Sequence, residues 1–441
     1  MERFRKICLG VSGLCLLLLL TGLVLGHTQI WQPAAVGLAI CFAIGFGALP
    51  ALKGYQYTAW IITAVVAGMI YPTAFLKWGD FDLRNKWLIL LVVQLVMFGM
   101  GIHMGIKDFA GLRKSGRGVL IGLLCHFSVM PLVGWLLTKV FYFEPEIAAG
   151  IILIGSCSSG LASNVMVFIA RANMVLSVTV TAMATLVAPF LTPLLMKLLA
   201  GTLIQIRFLD MMAEIIKIVI VPIGAALLHD YLKNASAGGR RKVTIITGVC
   251  TLWLAALALG GWQILAANAA PEVLSMVDII SFMAGAVVIG VLYHGLTRQF
   301  PKLDSLMPYL SMFGIVYFTT VTTAAGRENL LKVGFLLFLA SVLHNAAGYF
   351  FGYWLSRLFG LDKNSARTVA FEVGLQNGGM ASGLAGTMGK LGTVGLAAAV
   401  FSPWMNISGS ILANYWRRKP VKEINEPAHK ELEPASQVPS V

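Results

Sequence analysis

Charge is what this chain lacks. Only 12% of its 441 residues are Asp, Glu, Lys or Arg, against roughly a quarter in a soluble domain. So few charges cannot cover a water-facing surface, which excludes a soluble enzyme. With 58% hydrophobic residues, a disordered chain is excluded too. Acid is scarcer than base: 19 Asp and Glu stand against 33 Lys and Arg, for a formal net charge of +14. A nucleic acid would suit that excess, but basic residues of a membrane protein collect on its cytoplasmic loops, which accounts for it without a polyanion. The six cysteines (Cys8, Cys15, Cys41, Cys125, Cys157, Cys250) lie in or beside apolar runs. They have neither metal-ligand spacing nor loop pairing and read as small packing residues. No P-loop, His-Glu-x-x-His or nucleophile elbow occurs, so nothing points to an ATP-driven pump or a membrane enzyme.

What the chain has in abundance is apolar sequence in runs of the length that crosses a bilayer, about 20 residues each. Fourteen helical spans are expected, near 7–26, 33–52, 57–75, 86–105, 117–139, 147–169 and 173–200, then 208–229, 243–266, 276–296, 306–325, 331–357, 364–386 and 391–415. The start, with Arg3, Arg5 and Lys6 before an apolar run, has the look of a signal peptide. No small-x-small cleavage site follows it, so it is kept as a first span. With the N-terminus inside, 23 of the 33 lysines and arginines fall on inside segments, which places both termini in the cytoplasm. Lys217 lies within a span, either reaching for the interface or paired with a carboxylate; Asp278 and Glu214 are expected at interfaces.

Two stretches resemble each other. Gly134-Trp-Leu-Leu-Thr-Lys-Val-Phe leads to Gly155-Ser-Cys-Ser-Ser-Gly-Leu-Ala-Ser163, and Gly352-Tyr-Trp-Leu-Ser-Arg-Leu-Phe leads to Gly374-Leu-Gln-Asn-Gly-Gly-Met-Ala-Ser382. First Gly and last Ser are 29 residues apart in one and 30 in the other. Seven spans separate the copies, an odd number, so they would lie in opposite orientations. Inverted repeats with broken helices are a build of secondary transporters, with the site near the midplane where the copies meet. The expected regions are 1–56 (two extra spans), 57–240 (first repeat), 241–304 (an inserted helix pair), 305–416 (second repeat) and 417–441 (an unstructured cytoplasmic tail).

Glu372 is the informative charge. It sits in an apolar span with no Lys or Arg at helical spacing, where an ionised carboxylate costs several kcal/mol unless paired. Gln376 is one turn on and shares its face. Those two groups, with carbonyls loosened by glycine at Val373 and Leu375, offer the oxygens a hard cation such as sodium prefers. Ser163, Asn164, Ser177 and Thr181 offer more from the first repeat, the last two at i, i+4. Three readings of Glu372 stand at this point: an ion ligand, a protonated group in a helix–helix hydrogen bond, and a proton carrier. His126, His294 and the pair His344-Asn345 are read as packing or helix–helix hydrogen-bonding residues.

These residues, with Ala162-Ser-Asn-Val-Met166, Leu176-Ser-Val-Thr-Val-Thr181, Ala188-Pro-Phe-Leu-Thr-Pro193, His344-Asn-Ala-Ala-Gly-Tyr349, Glu372-Val-Gly-Leu-Gln-Asn377 and Asn406-Ile-Ser-Gly-Ser410, resemble the bile acid:sodium symporter family over roughly 57–240 and 305–416. The resemblance implies an all-α polytopic membrane protein. Its ten-helix inverted-repeat core would divide into a panel and a core around two crossing broken helices, here the spans near 147–169 and 364–386. About four further transmembrane helices would surround it. It implies one sodium ion at Ser163, Asn164, Ser177, Thr181 and Glu372, and a second at Glu372, Val373, Leu375 and Gln376. His126 stands where close bacterial relatives supply a Gln to that second ion; imidazole is a poorer sodium ligand and can take a proton. Substrate would meet Ser159, Gly160 and Leu161 at one break, and Asn377 and Gly378 at the other. Relatives often read Cys-Pro-Gly-Gly-Thr where this chain has Cys157-Ser-Ser-Gly-Leu161, a departure that implies a different anion.

The expected function is a sodium-coupled symporter of an organic anion, bile-acid-like or a small carboxylate, in a bacterial inner membrane, with Na+ as coupling ion and no organic cofactor. A proton-coupled or uncoupled carrier on the same fold is the alternative, and a non-transporting membrane sensor a third.

Overall fold

A backbone in hydrocarbon must satisfy its own N–H and C=O groups, and helices do so within one segment. The computed structural model describes residues 2–49, 52 and 55–421. Among them the only strands are a two-residue hairpin, β1 (Lys77–Trp78) and β2 (Phe81–Asp82). The helices are α1 (Glu2–Val24), α2 (Thr28–Gly45), α3 (Gln56–Ile70), α4 (Lys86–Ile102), α5 (Ile106–Phe141), α6 (Pro145–Ser156), α7 (Leu161–Ile169), α8 (Met174–Ala200) and α9 (Phe208–Ile215). They continue as α10 (Val221–Asn234), α11 (Ala237–Ala256), α12 (Trp262–Asn268), α13 (Pro271–Gln299), α14 (Leu303–Ala325), α15 (Arg327–Leu358), α16 (Lys363–Gly374), α17 (Gly378–Thr387) and α18 (Val394–Arg417). A π-turn, Ile216–Ile220, joins α9 to α10, and another, Leu257–Gly261, joins α11 to α12. Among the described residues, ten segments are long and apolar enough to cross a membrane, with shorter apolar helices at α3, α4 and α6.

All fourteen expected spans have a helical counterpart, four of them as two helices in succession. Helix α2 begins at Thr28 rather than 33. Gly26 takes φ +69 there, and His27 N–H closes back on Gly22 O at 2.9 Å, so α1 ends in a tight left-handed turn and α2 starts at once. Of the tail expected over 417–441, residues 422–441 lie outside the described residues.

The helices pack as two groups in contact with each other. In one, α14 lies against α3 and α4, and α10 against α4. In the other, α5 packs on α6, α8 and α15, and α18 on α6, α7 and α15. The two meet along α17, whose Gly379, Gly383 and Gly386 lie against Val96 and Met97, Val93, and Ile89 of α4; a Cβ at 383 or 386 would run into those side chains. Helix α13 joins the first group. Asp278 bonds Lys217 at 2.9 Å, and Tyr293 bonds Asp304 at 2.8 Å. Lys217 also binds Glu214 at 2.7 Å, so it pairs with carboxylates and does not reach for the interface. Helix α11 has no buried residue.

Candidate functional site

The site forms where two helices stop in mid-layer. Helix α6 ends at Ser156; Cys157 and Gly160 are extended (φ −73, ψ 162; φ −115, ψ 172), and α7 starts at Leu161. Helix α16 ends at Gly374, and α17 starts after Asn377, whose Oδ1 accepts the Met380 N–H at 2.9 Å. The breaks cross. Ser159 and Gln376 pair as a lone antiparallel β-bridge, and Asn377 N–H donates to Ser158 O at 2.8 Å. Gly160 permits the approach: a Cβ there would stand 3.3 Å from Gln376 O. The freed polar backbone is thus satisfied by the opposite break, within protein rather than lipid.

Side chains tie the crossing from outside. His126, fully buried on α5, sets Nδ1 2.8 Å from Glu372 O and Nε2 2.8 Å from Cys157 O, so one ring touches the C-terminal ends of both α6 and α16. Asn345 donates to Gly374 O at 2.8 Å and accepts from Ser408 at 2.6 Å. His344 Nε2 meets Met130 O at 2.8 Å.

Glu372 is the hub, with no exposed surface. Ser177 donates to Oε1 at 2.5 Å; Ser159 and Thr181 donate to Oε2 at 2.7 and 2.9 Å. Asn164 Oδ1 lies 2.7 Å from the Ser177 hydroxyl and 3.3 Å from that of Thr181. Ser163 donates to Gly160 O at 2.8 Å and lies 3.4 Å from the Thr181 hydroxyl. Seven side-chain oxygens from α7, α8, α16 and the first break therefore converge, and no described Lys or Arg bonds the carboxylate. Gln376 donates its amide to Val373 O at 2.7 Å, while its Oε1 is buried with no partner. One carboxylate, neutral oxygens and an unpartnered amide oxygen are the donor set a hard monovalent cation takes. No group of three or more His, Cys, Asp or Glu among the described residues could hold a metal ion.

The structure thus brings Ser163, Asn164, Ser177, Thr181 and Glu372 together, and sets Val373, Leu375, Gln376 and His126 beside them. Ser159, expected toward substrate, is on the carboxylate. Gly160, Leu161 and Gly378 lie at the breaks, Gly378 against Ser402. Asn377 Nδ2 points toward the Met97 and Met100 sulfurs at 3.9 and 3.8 Å. Sequence reading did not assign Asn345 its brace on Gly374; its signal was the intramembrane His-Asn pair.

Residues 89–268 match the Sodium Bile acid symporter family. The chain is 30% identical over 370 residues to the "Uncharacterized sodium-dependent transporter YocS" of Bacillus subtilis (strain 168), covering 84% of this chain and 93% of that one. It is 28% identical to the "Probable sodium/metabolite cotransporter BASS1, chloroplastic" of Arabidopsis thaliana, over 84% of this chain and 75% of that one. It is 27% identical to the "Ileal sodium/bile acid cotransporter" of Homo sapiens, over 66% of each. With a helical membrane fold and relatives that are transporters, the chain is an integral membrane protein of the sodium bile acid symporter family.

Proposed function

We propose that the protein is a sodium-coupled symporter of an organic anion, seated in a bacterial inner membrane with both termini in the cytoplasm. The observation that carries the reading is Glu372, a wholly buried carboxylate bonded by three hydroxyls and by no described cationic side chain. Hydroxyls lower the cost of a buried charge but do not neutralise it. A sodium ion held by Ser163, Asn164, Ser177, Thr181 and Glu372 would. Gln376 Oε1, with Glu372 and the carbonyls of Val373 and Leu375, would take a second. His126 has both ring nitrogens on carbonyl oxygens, so its role is to position the two breaks rather than to ligate.

The cargo would bind beside the ion at Ser159–Leu161, Asn377 and Gly378. Helices α7 and α17 both begin at the crossing, and half-helix N-termini favour a carboxylate. The Met97 and Met100 thioethers beside Asn377 favour an apolar body on that carboxylate. The close seam of α17 on α4 closes one side of the gap between the helix groups, the outer side on the charge bias, so transport would move the second group against the first.

Thermal unfolding of the detergent-purified protein in NaCl against KCl or choline chloride tests this. Preferential binding to the folded form raises stability by mass action, so a saturable, sodium-specific rise is expected, lost in Glu372→Ala. No sodium effect at concentrations well above physiological, with uptake that follows pH instead, would transfer the protein to the proton-coupled or uncoupled reading.

A further inference from the structure

We propose that the groove between α4, α10 and α13 binds an acyl chain of an anionic phospholipid. Helix α13 is tied to the first helix group near both ends, by Asp278 to Lys217 and by Tyr293 to Asp304. It packs tightest at Gly290, where a Cβ would meet the Ala225 carbonyl. Between the ties, the small residues Ser281, Gly285 and Ala286 line a cavity of about 500 Å³, a size typical of ligand pockets.

The wall is apolar, formed by such residues as Leu91, Leu95, Phe98, Val221, Phe282 and Ile289. The polar groups at its rim are already engaged. Gln94 donates to Lys217 O at 3.0 Å, and Ser281 donates to Val277 O at 2.6 Å and accepts from Trp253 at 3.2 Å; Asp278 and Tyr293 form the ties. A ligand therefore finds dispersion and apolar burial but no directional partner, which describes a hydrocarbon chain and disfavours water. From Asp278 to Tyr293 the groove runs along α13 for about 22 Å at the helical rise, enough to take one leaflet's chain lengthwise.

Charge gives the direction. At the Asp278 end, Glu214 and Asp278 outnumber Lys217. At the Tyr293 end, exposed Arg298, Lys302, Arg240, Arg241 and Lys242 follow, and Lys233 pairs with Asp304 at 2.9 Å. A basic cluster at the end of an interhelical groove recruits an anionic headgroup.

The test uses the full chain in detergent, with native mass spectrometry and thermal unfolding after adding phosphatidylglycerol or phosphatidylcholine of identical chains. Phosphatidylglycerol is expected to be retained preferentially and to raise the midpoint more. Gly285→Leu adds a side chain to the groove lining at a position where no atom lies within 4 Å of a Cβ. It should abolish retention while the sodium-specific stabilisation persists, the latter serving as the folding control. Arg298→Gln with Lys302→Gln should cut the preference by roughly fivefold per residue. Equal retention of the two lipids by wild type would overturn the proposal. So would undiminished retention by folded Gly285→Leu, or a second copy of the chain, rather than lipid, lost on that substitution. The wild-type comparison stands whether or not the variant folds.

Discussion

Glu372 acquires its meaning from oxygen atoms supplied by three other elements, and each can be removed singly. Glu372→Gln keeps the shape but removes the charge; it should leave a folded protein whose unfolding midpoint no longer distinguishes sodium from potassium. Ser177→Ala deletes the 2.5 Å donor to Oε1. Hydrogen bonds to charged groups are worth about 1.5–3 kcal/mol, so the variant should lose about that much stability in sodium-free buffer, read from denaturant-induced unfolding. It should also need more sodium for half-maximal stabilisation. The residue types here were legible in the sequence, because a lone acid in an apolar span is costly without a partner and serines and threonines at helical spacing advertise a face. The partners of His126 were not: periodicity along one span says nothing about carbonyls freed by breaks 31 and 246 residues away.

At the scale of elements, the half-helices depend on their ends. Asp362 caps α16, its Oδ1 accepting the N–H groups of Asn364 and Ser365 at 2.8 and 3.0 Å. Burial alone would raise its pKa, but the bonds from Ser365 and Asn364 outweigh it and hold the carboxyl below the ordinary value. A depressed pKa means the cap's contribution is fully present above the ordinary aspartate range and fades as pH falls through the lowered value. Asp362→Ala should cost about 1 kcal/mol at neutral pH and flatten that acid limb in an unfolding-versus-pH series. The α17–α4 seam makes a second prediction. Gly383→Val would press on Val93, and overpacking typically costs about 1–3 kcal/mol. The variant should unfold earlier and, by forcing the helix groups apart, label more readily at a cysteine introduced at Val96. Glycine-rich breaks at Gly155–Gly160 and Gly374–Gly379 could be anticipated because glycine weakens a helix in either copy. Their mutual β-bridge could not, since it is a contact between segments that share no local pattern.

For the whole molecule, sodium at the crossing should slow amide hydrogen exchange at residues 157–160 and 374–377 together, and leave α11, which has no buried residue, unchanged. Exchange measured by mass spectrometry with and without sodium checks this. Protection at one break only would mean that the two do not act as a unit. Where the apolar helices lie was readable from hydropathy because every segment must satisfy its own backbone, whereas the grouping of helices was not. Helices that are apolar all round carry little information about which face meets which neighbour, and the ties of α13 rest on isolated polar residues such as Asp278 and Tyr293.

The distribution of Glu372's partners also bears on how the chain is made. Ser177 and Thr181 leave the ribosome 195 and 191 residues before the carboxylate they bond. At about 5–20 residues per second, that interval is roughly 10–40 s. The hydroxyls can wait in the bilayer at little cost, because a serine or threonine can lean on a carbonyl of its own helix, as Thr185 does on Thr181 O. The charge cannot wait. Its late position means that the expensive group is released into the membrane only after most of its receptor is already inserted, an order of synthesis that spares the insertion machinery an orphan anion.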